Sequence, residues 1–289
     1  DGAAVVSIMH HCSSVGAVQA RCAQLLADMA VDAASRTKLS ADGACEGVVA
    51  GMITHVQNAD VQWQCAGAVS SLSDGCFSNR NKLRAAGVCN ALVAGMAAHK
   101  HNPAVQWRGA CAVHKMSFDF DNRTELGKAG ACEAAVTGML KHKHNANVQQ
   151  ACALAIIWLS FENVANTIRL GAAGACEAVL AGVLAHDHNV DVQDRCAQAI
   201  GDLAVDAANC ANLGAAGACE TVVNVMLVHR PHANVQWHCA RAVNNLANNT
   251  ANNNQLGAAG ACAAIVTAMR AHTDNPTVQQ WCRSAVDRL

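Results

Sequence analysis

Gly174 to Leu203 reads GACEAVLAGVLAHDHNVDVQDRCAQAIGDL, a stretch with the pattern of two successive helices. Residues 176–186, CEAVLAGVLAH, are apolar with small side chains among them, and Gly174 and Asn189 punctuate the two ends. From Val192 onward the apolar or small residues fall at Val192, Cys196, Ala199, Ile200 and Leu203, the i, i+4, i+7, i+8, i+11 spacing of one helical face. Asp191, like Asn147 and Asn234 at matching places, offers a side-chain oxygen just ahead of that face, which predicts an N-cap. A shorter helix fits Asn209 to Gly214 and stops at the Gly-Ala-Ala-Gly turn. The chain has 3 prolines, and no segment alternates as a half-buried strand does.

Outward from this stretch the same pattern recurs. Gly-Ala-Cys-Glu or a near relative places Cys45, Cys89, Cys132, Cys176, Cys219 and Cys262 at spacings of 44, 43, 44, 43 and 43. Val-Gln starts at Val18, Val61, Val105, Val148, Val192, Val235 and Val278, and keeps the same beat independently. A period of this length with two anchors marks a repeat protein whose units are helix, helix, helix.

The residues that carry a resemblance are NNNQLGAAGACAAIVTAMRAHTDNPTVQQWCRSAVDRL, Asn252 to Leu289, and ANVQWHCARAVNNLANN from Ala233. In period, turn glycines and the Val-Gln plus Leu-Ala pattern, the whole chain resembles the armadillo repeat family, whose unit is a short helix followed by two longer ones. HEAT repeats are two-helix units usually marked by proline and by an Asp/Arg ladder that is not seen here. The resemblance implies an all-α, right-handed superhelical solenoid of about seven repeats of 43–44 residues. It forms one domain over 1–289, with units near 1–31, 32–74, 75–118, 119–161, 162–205, 206–248 and 249–289. Asp1–His10 aligns with a second helix and Leu289 with the close of a third, giving seven second/third pairs and six linking short helices. Asp1 is not a Met, so the amino terminus of the gene product and its targeting information are expected to be missing. Solenoids carry polar capping repeats, and neither end reads as one. Continuation of the solenoid, a partner over the ends and head-to-tail self-association all stand as readings.

Composition narrows the function. Hydrophobic residues are 52% and charged ones 14%, with Lys+Arg 20 against Asp+Glu 21 and a net charge of -1. That is a folding composition without the basic footprint that a nucleic acid or an anionic membrane requires. Gly, His, Asn or Asp interrupts every apolar run short of the roughly 20 residues of a membrane span, so no membrane insertion is expected. Aromatics are 3%, leaving Ala, Val, Leu, Ile, Met and Cys to build a core of closely approaching backbones.

The 16 cysteines are read as small buried hydrophobes. Their places on antiparallel helices keep the two recurring sets far apart along the axis, and stacked helices are too widely spaced for bridging. Many unpaired thiols point to an intracellular, reducing compartment, the cytoplasm first. Cys12, Cys76 and Cys210 fall outside the pattern and are expected to be the exposed thiols. His55, His99, His142, His186, His229 and His272 form a ladder six residues before each Val. Neighbouring rungs are too distant to complete a zinc site, so no metal or other cofactor is expected. The imidazoles are expected to bond the free carbonyls at the end of their own second helix.

No catalytic constellation stands out, because Cys and His recur in every unit and the glycine turns lack the Gly-Lys-Ser/Thr of a phosphate loop. The expectation is a non-enzymatic scaffold or adaptor for a protein or peptide partner; the alternative is a permanent structural subunit of a larger assembly. In armadillo relatives that bind extended peptides, the last helix of each unit lines a concave groove with a Trp and an Asn four residues apart. Here the Asn place holds an asparagine only at Asn245, and the Trp place, which Arg241 occupies in the same unit, never holds a tryptophan. The fourth unit departs most, with Leu154, Ile157, Trp158 and Phe161 at groove positions and Phe118 expected beside Phe161. These form either an apolar partner anchor or, for Ile157 and Trp158, part of the core. Trp63, Trp107 and Trp237 share a register that reads as a groove-edge strip or as cover for the joint between units. Arg21, Arg108, Arg195 and His238 share the next, a basic lip for acidic segments or a solvated face.

Overall fold

The computed structural model describes all residues from Asp1 to Leu289. It holds twenty α-helices, numbered in chain order, and no strand. They repeat in three kinds. The short first helices are α3 (Ala33–Ala41), α6 (Phe77–Ala85), α9 (Phe120–Ala129), α12 (Val164–Ala172), α15 (Ala207–Ala215) and α18 (Thr250–Ala258). The second helices are α1 (Gly2–His11), α4 (Ala44–Thr54), α7 (Val88–Ala98), α10 (Ala131–Lys141), α13 (Ala175–Ala185), α16 (Ala218–Val228) and α19 (Ala261–Ala271). The third are α2 (Gly16–Met29), α5 (Ala59–Ser73), α8 (Pro103–Met116), α11 (Ala146–Ser160), α14 (Val190–Leu203), α17 (Ala233–Leu246) and α20 (Pro276–Arg288). This is the expected set of seven pairs and six linkers.

Contacts divide the chain into two compact units, Asp1–His142 and Lys143–Leu289. In the first, α2, α5 and α8 stack as one row, and α1, α4, α7 and α10 as a second. In the second, α11, α14, α17 and α20 form the row of third helices, with α13, α16 and α19 beside it. Like stacks on like, so each helix contributes to two interfaces and needs apolar residues on a broad face. α5 meets this with Val61, Cys65, Val69 and Leu72, all fully buried, and α14 with Val192, Cys196 and Leu203.

Every first-to-second junction turns on one glycine register. Gly43, Gly87, Gly130, Gly174, Gly217 and Gly260 have φ between 80° and 98°, a region costly for any residue with a Cβ. Each serves as N-cap of the second helix, so two helices meet without a linker.

Asn58, Asn102, Asn145, Asn189 and Asn275 cap the third helices, their side-chain oxygens accepting from the Val N–H. The caps therefore sit two residues ahead of the predicted Asp191, Asn147 and Asn234 register, which lies inside the first turn. The reason is geometric: an N-cap bonds the N–H two or three residues on.

Three ladders of side-chain amides and imidazoles then bond main-chain oxygens, the first of them at the ends of the second helices. The Gln of Val-Gln is the first: Gln62 Nε2 donates to Met52 O at 2.8 Å and His55 O at 3.1 Å, closing the carbonyl end of α4. Gln19, Gln106, Gln193, Gln236 and Gln279 do the same in their units. The histidines form the second ladder, and they correct the expectation for them. Because Gln already occupies those carbonyls, each imidazole reaches back one repeat: His55 Nε2 lies 2.7 Å from Ser13 O, His99 2.9 Å from Val56 O and His142 3.0 Å from Lys100 O. In the second unit His186, His229 and His272 meet Lys143 O, Asp187 O and Arg230 O. A carbonyl only accepts, so the proton is on Nε2.

Buried asparagines of the first helices make the third ladder. Asn79 Nδ2 donates to Arg36 O at 3.1 Å, Asn209 to Thr167 O at 2.9 Å and Asn252 to Cys210 O at 2.8 Å, each 42 or 43 residues back.

All sixteen thiols are free, and most are buried. Burial pushes Cys65, Cys176 and Cys196 up to about 12. One thiol expectation is overturned: Cys210 is buried, because Asn252 donates to its Sγ at 3.4 Å and Leu246 O lies 3.5 Å away. The exposed thiol is Cys262, whose counterparts Cys176 and Cys219 lie against Asn209 O and Asn252 O of the next first helix. Cys12 and Cys76 are half-buried.

Candidate interaction face

The rows of third helices present the face on which the sequence places partner-binding residues. In the first unit that face is built around Arg108 on α8. Its guanidinium lies 5.6 Å from the Trp63 ring of α5 and 4.8 Å from that of Trp107. Gly67 makes room for it, since a Cβ there would stand 3.4 Å from the Arg108 head. Arg108 is thus half-buried in an aromatic bracket that joins two repeats, a cation–π arrangement and not a free cation. Phe118 is half-buried, with the Arg80 and Lys115 cations 5.8 and 5.7 Å from its ring and His114 edge-on at 5.2 Å. Lys115 in turn pairs with Asp74 at 2.6 Å, and that bond holds the Asp74 carboxyl below its usual range.

In the second unit the apolar positions separate. Ile157 is 3% exposed and belongs to the core, whereas Leu154 and Trp158 are half-buried and Phe161 is 47% exposed. The Trp158 and Phe161 rings are 5.6 Å apart, tilted at 52°. On a helix, adjacent residues point about 100° apart, so Ile157 can face inward while Trp158 does not. Just beyond, Glu162 is the sole non-glycine residue with positive φ, at 48°, and α12 follows with Val164 and Ile168 exposed four residues apart on one face. Sequence reasoning missed these two; their signal was an apolar pair on a first helix whose buried positions, Asn166, Thr167 and Leu170, include two polar residues.

The predicted basic lip is largely spoken for. Arg195 is half-buried, 3.4 Å from Gln198 Oε1 and 3.6 Å from Asp194. Arg241 bonds Asp202 at 2.7 Å and Gln198 O at 3.1 Å. Burial raises the Asp202 carboxyl against the pull of that guanidinium. His238 is buried: its Nδ1 is 2.6 Å from Asp194 Oδ1 on α14, and its ring lies 3.5 Å from that of Trp237. Burial pushes the imidazole below its usual value despite Asp194 beside it. So His238 is a buried tie between α14 and α17 and presents nothing to solvent.

No protein-family profile matches the chain, and no curated protein matches it. Solved structures do. An engineered protein superposes with a TM-score of 0.86 at 21% identity, over 99% of this chain and 67% of its own. A designed armadillo repeat protein gives 0.73 at 20% identity, over 85% and 100%. Another, in complex with peptide (KR)4, gives 0.70 at 22% identity, over 84% and 98%. The fold is that of armadillo repeats.

Within this armadillo fold Asn245, the one asparagine at the expected clamp position, is already committed. Its Nδ2 donates to Gly201 O at 2.8 Å and its Oδ1 accepts from Asn244 at 3.0 Å. No three His, Cys, Asp or Glu side chains converge on one point. No single helix is long and apolar enough to cross a membrane.

Proposed function

We propose that this armadillo-fold protein is a non-enzymatic scaffold that binds a protein or peptide partner on the face of its third helices. The apolar group of the second unit, Leu154, Trp158 and Phe161, is the anchor. One observation carries this reading: on a row where Arg241 and His238 are tied to the preceding repeat and Arg195 is paired within its own helix, the Trp158–Phe161 pair stays partly uncovered. Partly exposed aromatic pairs within a rim of satisfied polar groups are what interface hot spots are made of. Val164 and Ile168 add two exposed apolar side chains on α12, the next helix in the chain. The designed relative bound to (KR)4 supports peptide binding as a use of this fold. Buried, high-pKa thiols are the opposite of an activated nucleophile, which supports the non-enzymatic reading.

The test is selection from a displayed random-peptide library against the native chain, followed by titration of the enriched sequences against Trp158→Ala and Phe161→Ala. Enriched peptides should carry bulky apolar residues and lose at least about tenfold in affinity to either variant, while both variants keep their helicity and Tm. Peptides that bind all three chains equally would remove the anchor.

A further inference from the structure

A shallow groove recurs between consecutive second helices on the other row of the fold. Between α1 and α4 it encloses about 260 Å³ and between α13 and α16 about 210 Å³. Between α7 and α10 it opens to about 550 Å³, within the range of small-molecule sites. The three are the same place in the repeat. Gln19, Gln193 and Gln106 lie at their floors, and the paired residues at the mouth are Ser13 with Thr54, Asp187 with Val228 and Lys100 with Lys141. Only the enlarged groove carries two cations.

The histidine ladder brings together the backbone segments that carry those two lysines. His142 Nε2 is bonded to the Lys100 carbonyl at 3.0 Å, and Lys141 immediately precedes His142, so both lysine stems leave from the same corner. Both lysines are exposed. Between them and Glu133, eight residues earlier on α10 and hence about 12 Å along its axis, the walls are Val93, Met96, Ala97 and Ala134, with Thr137 the one hydroxyl among them. The floor offers a ligand no donor, because Gln106 Nε2 is spent on Met96 O and His99 O. An occupant that is apolar along its body and anionic at one end fits this lining, with its head at the lysines and away from the Glu133 carboxylate.

We infer that the groove between α7 and α10 binds a medium-chain aliphatic carboxylate, its head on Lys100 and Lys141 and its chain along Val93, Met96, Ala97 and Ala134. The site is on a different row from the partner anchor and does not depend on it.

The probe is decanoate, titrated below its micelle concentration into the full chain by calorimetry and by NMR of the Met96 methyl. The charge-reversed control is decyltrimethylammonium. Two variants separate head from chain. Lys100→Ser with Lys141→Thr copies the α1/α4 groove at two exposed positions and leaves the fold unchanged. Ala134→Leu fills the groove, with Tm as the folding check. Decanoate should bind the wild type and shift the Met96 signal. It should bind about five- to tenfold more weakly to the double variant, with the deficit shrinking at high salt. It should not bind detectably to Ala134→Leu, and decyltrimethylammonium should fail on the wild type. Absence of decanoate binding, equal binding by the double variant, or equal binding of the cation each overturns the inference.

Discussion

His229 Nε2 lies 2.7 Å from the backbone oxygen of Asp187, 42 residues earlier, and the imidazole is 5% exposed. This bond ties one repeat to the one before it at a helix end that no backbone donor reaches. Replacing His229 by Ala strands a shielded carbonyl and opens space, and should cost about 1–3 kcal/mol of unfolding free energy. His272 makes the same bond to Arg230 O in an exposed setting, where water can substitute, so His272→Ala should cost less than about 1 kcal/mol. Urea titrations of the two variants compare them directly.

Gly214 and Gly257 hold the same place on α15 and α18, yet an added methyl should act with opposite sign. At Gly214 a Cβ would stand 1.6 Å from Asn252 Oδ1, so Asn252 must leave its bond to Cys210 O. Gly214→Ala should destabilise by about 1–3 kcal/mol. At Gly257 nothing lies within 4 Å of the built Cβ, and Gly257→Ala should stabilise by about 0.5–1 kcal/mol through helix propensity alone. Thermal denaturation of both variants reads the contrast.

The His238–Asp194 tie makes stability pH-dependent. Burial lowers the folded-state pKa of His238 below its unfolded value, so the unfolded chain takes up the proton first as pH falls. The stability it supports is present above the unfolded value and is lost as pH drops toward the folded one. Between about pH 7 and pH 5.5 the wild type should lose stability more steeply than His238→Gln, by a few tenths to about 1 kcal/mol. Equal slopes in denaturant series across that window would remove His238 as a source.

Thiol labelling should follow burial and not the repeat pattern. Alkylation of the native chain with peptide-level mass spectrometry is expected to modify Cys262 first and Cys12 and Cys76 more slowly. Cys65, Cys196 and Cys210 should stay unmodified until the chain is unfolded. Early labelling of Cys210 would contradict its packing against Leu246 O and Asn252.

What the sequence made legible was whatever repeats. The Val-Gln beat placed the third helices, the Gly-Ala-Cys string placed the second, and the turn glycines placed the junctions. What it concealed was the purpose of the polar members of that beat. Gln62 recurs as regularly as Val61, and Asn79 in every first helix but that of Arg36, but periodicity is blind to whether an amide bonds its own unit or the previous one. Single-residue rotation was equally hidden: Ile157 and Trp158 are both apolar, and only the packed helix shows that the first is core and the second is surface. Arg108 read as a groove cation because the space above Gly67, where it stacks on Trp63, exists only between two repeats.

The backward reach of the histidine ladder bears on how such a chain can be lengthened or shortened. Each rung specifies its acceptor by relative position, one unit back, and that acceptor is a main-chain oxygen present whatever residue stands there: Ser13, Val56, Lys100, Lys143, Asp187 and Arg230 all serve. A duplicated or excised unit would therefore meet a ready-made partner on both sides, so the grammar of this fold permits whole-repeat gain and loss while leaving the loop residues free to diversify.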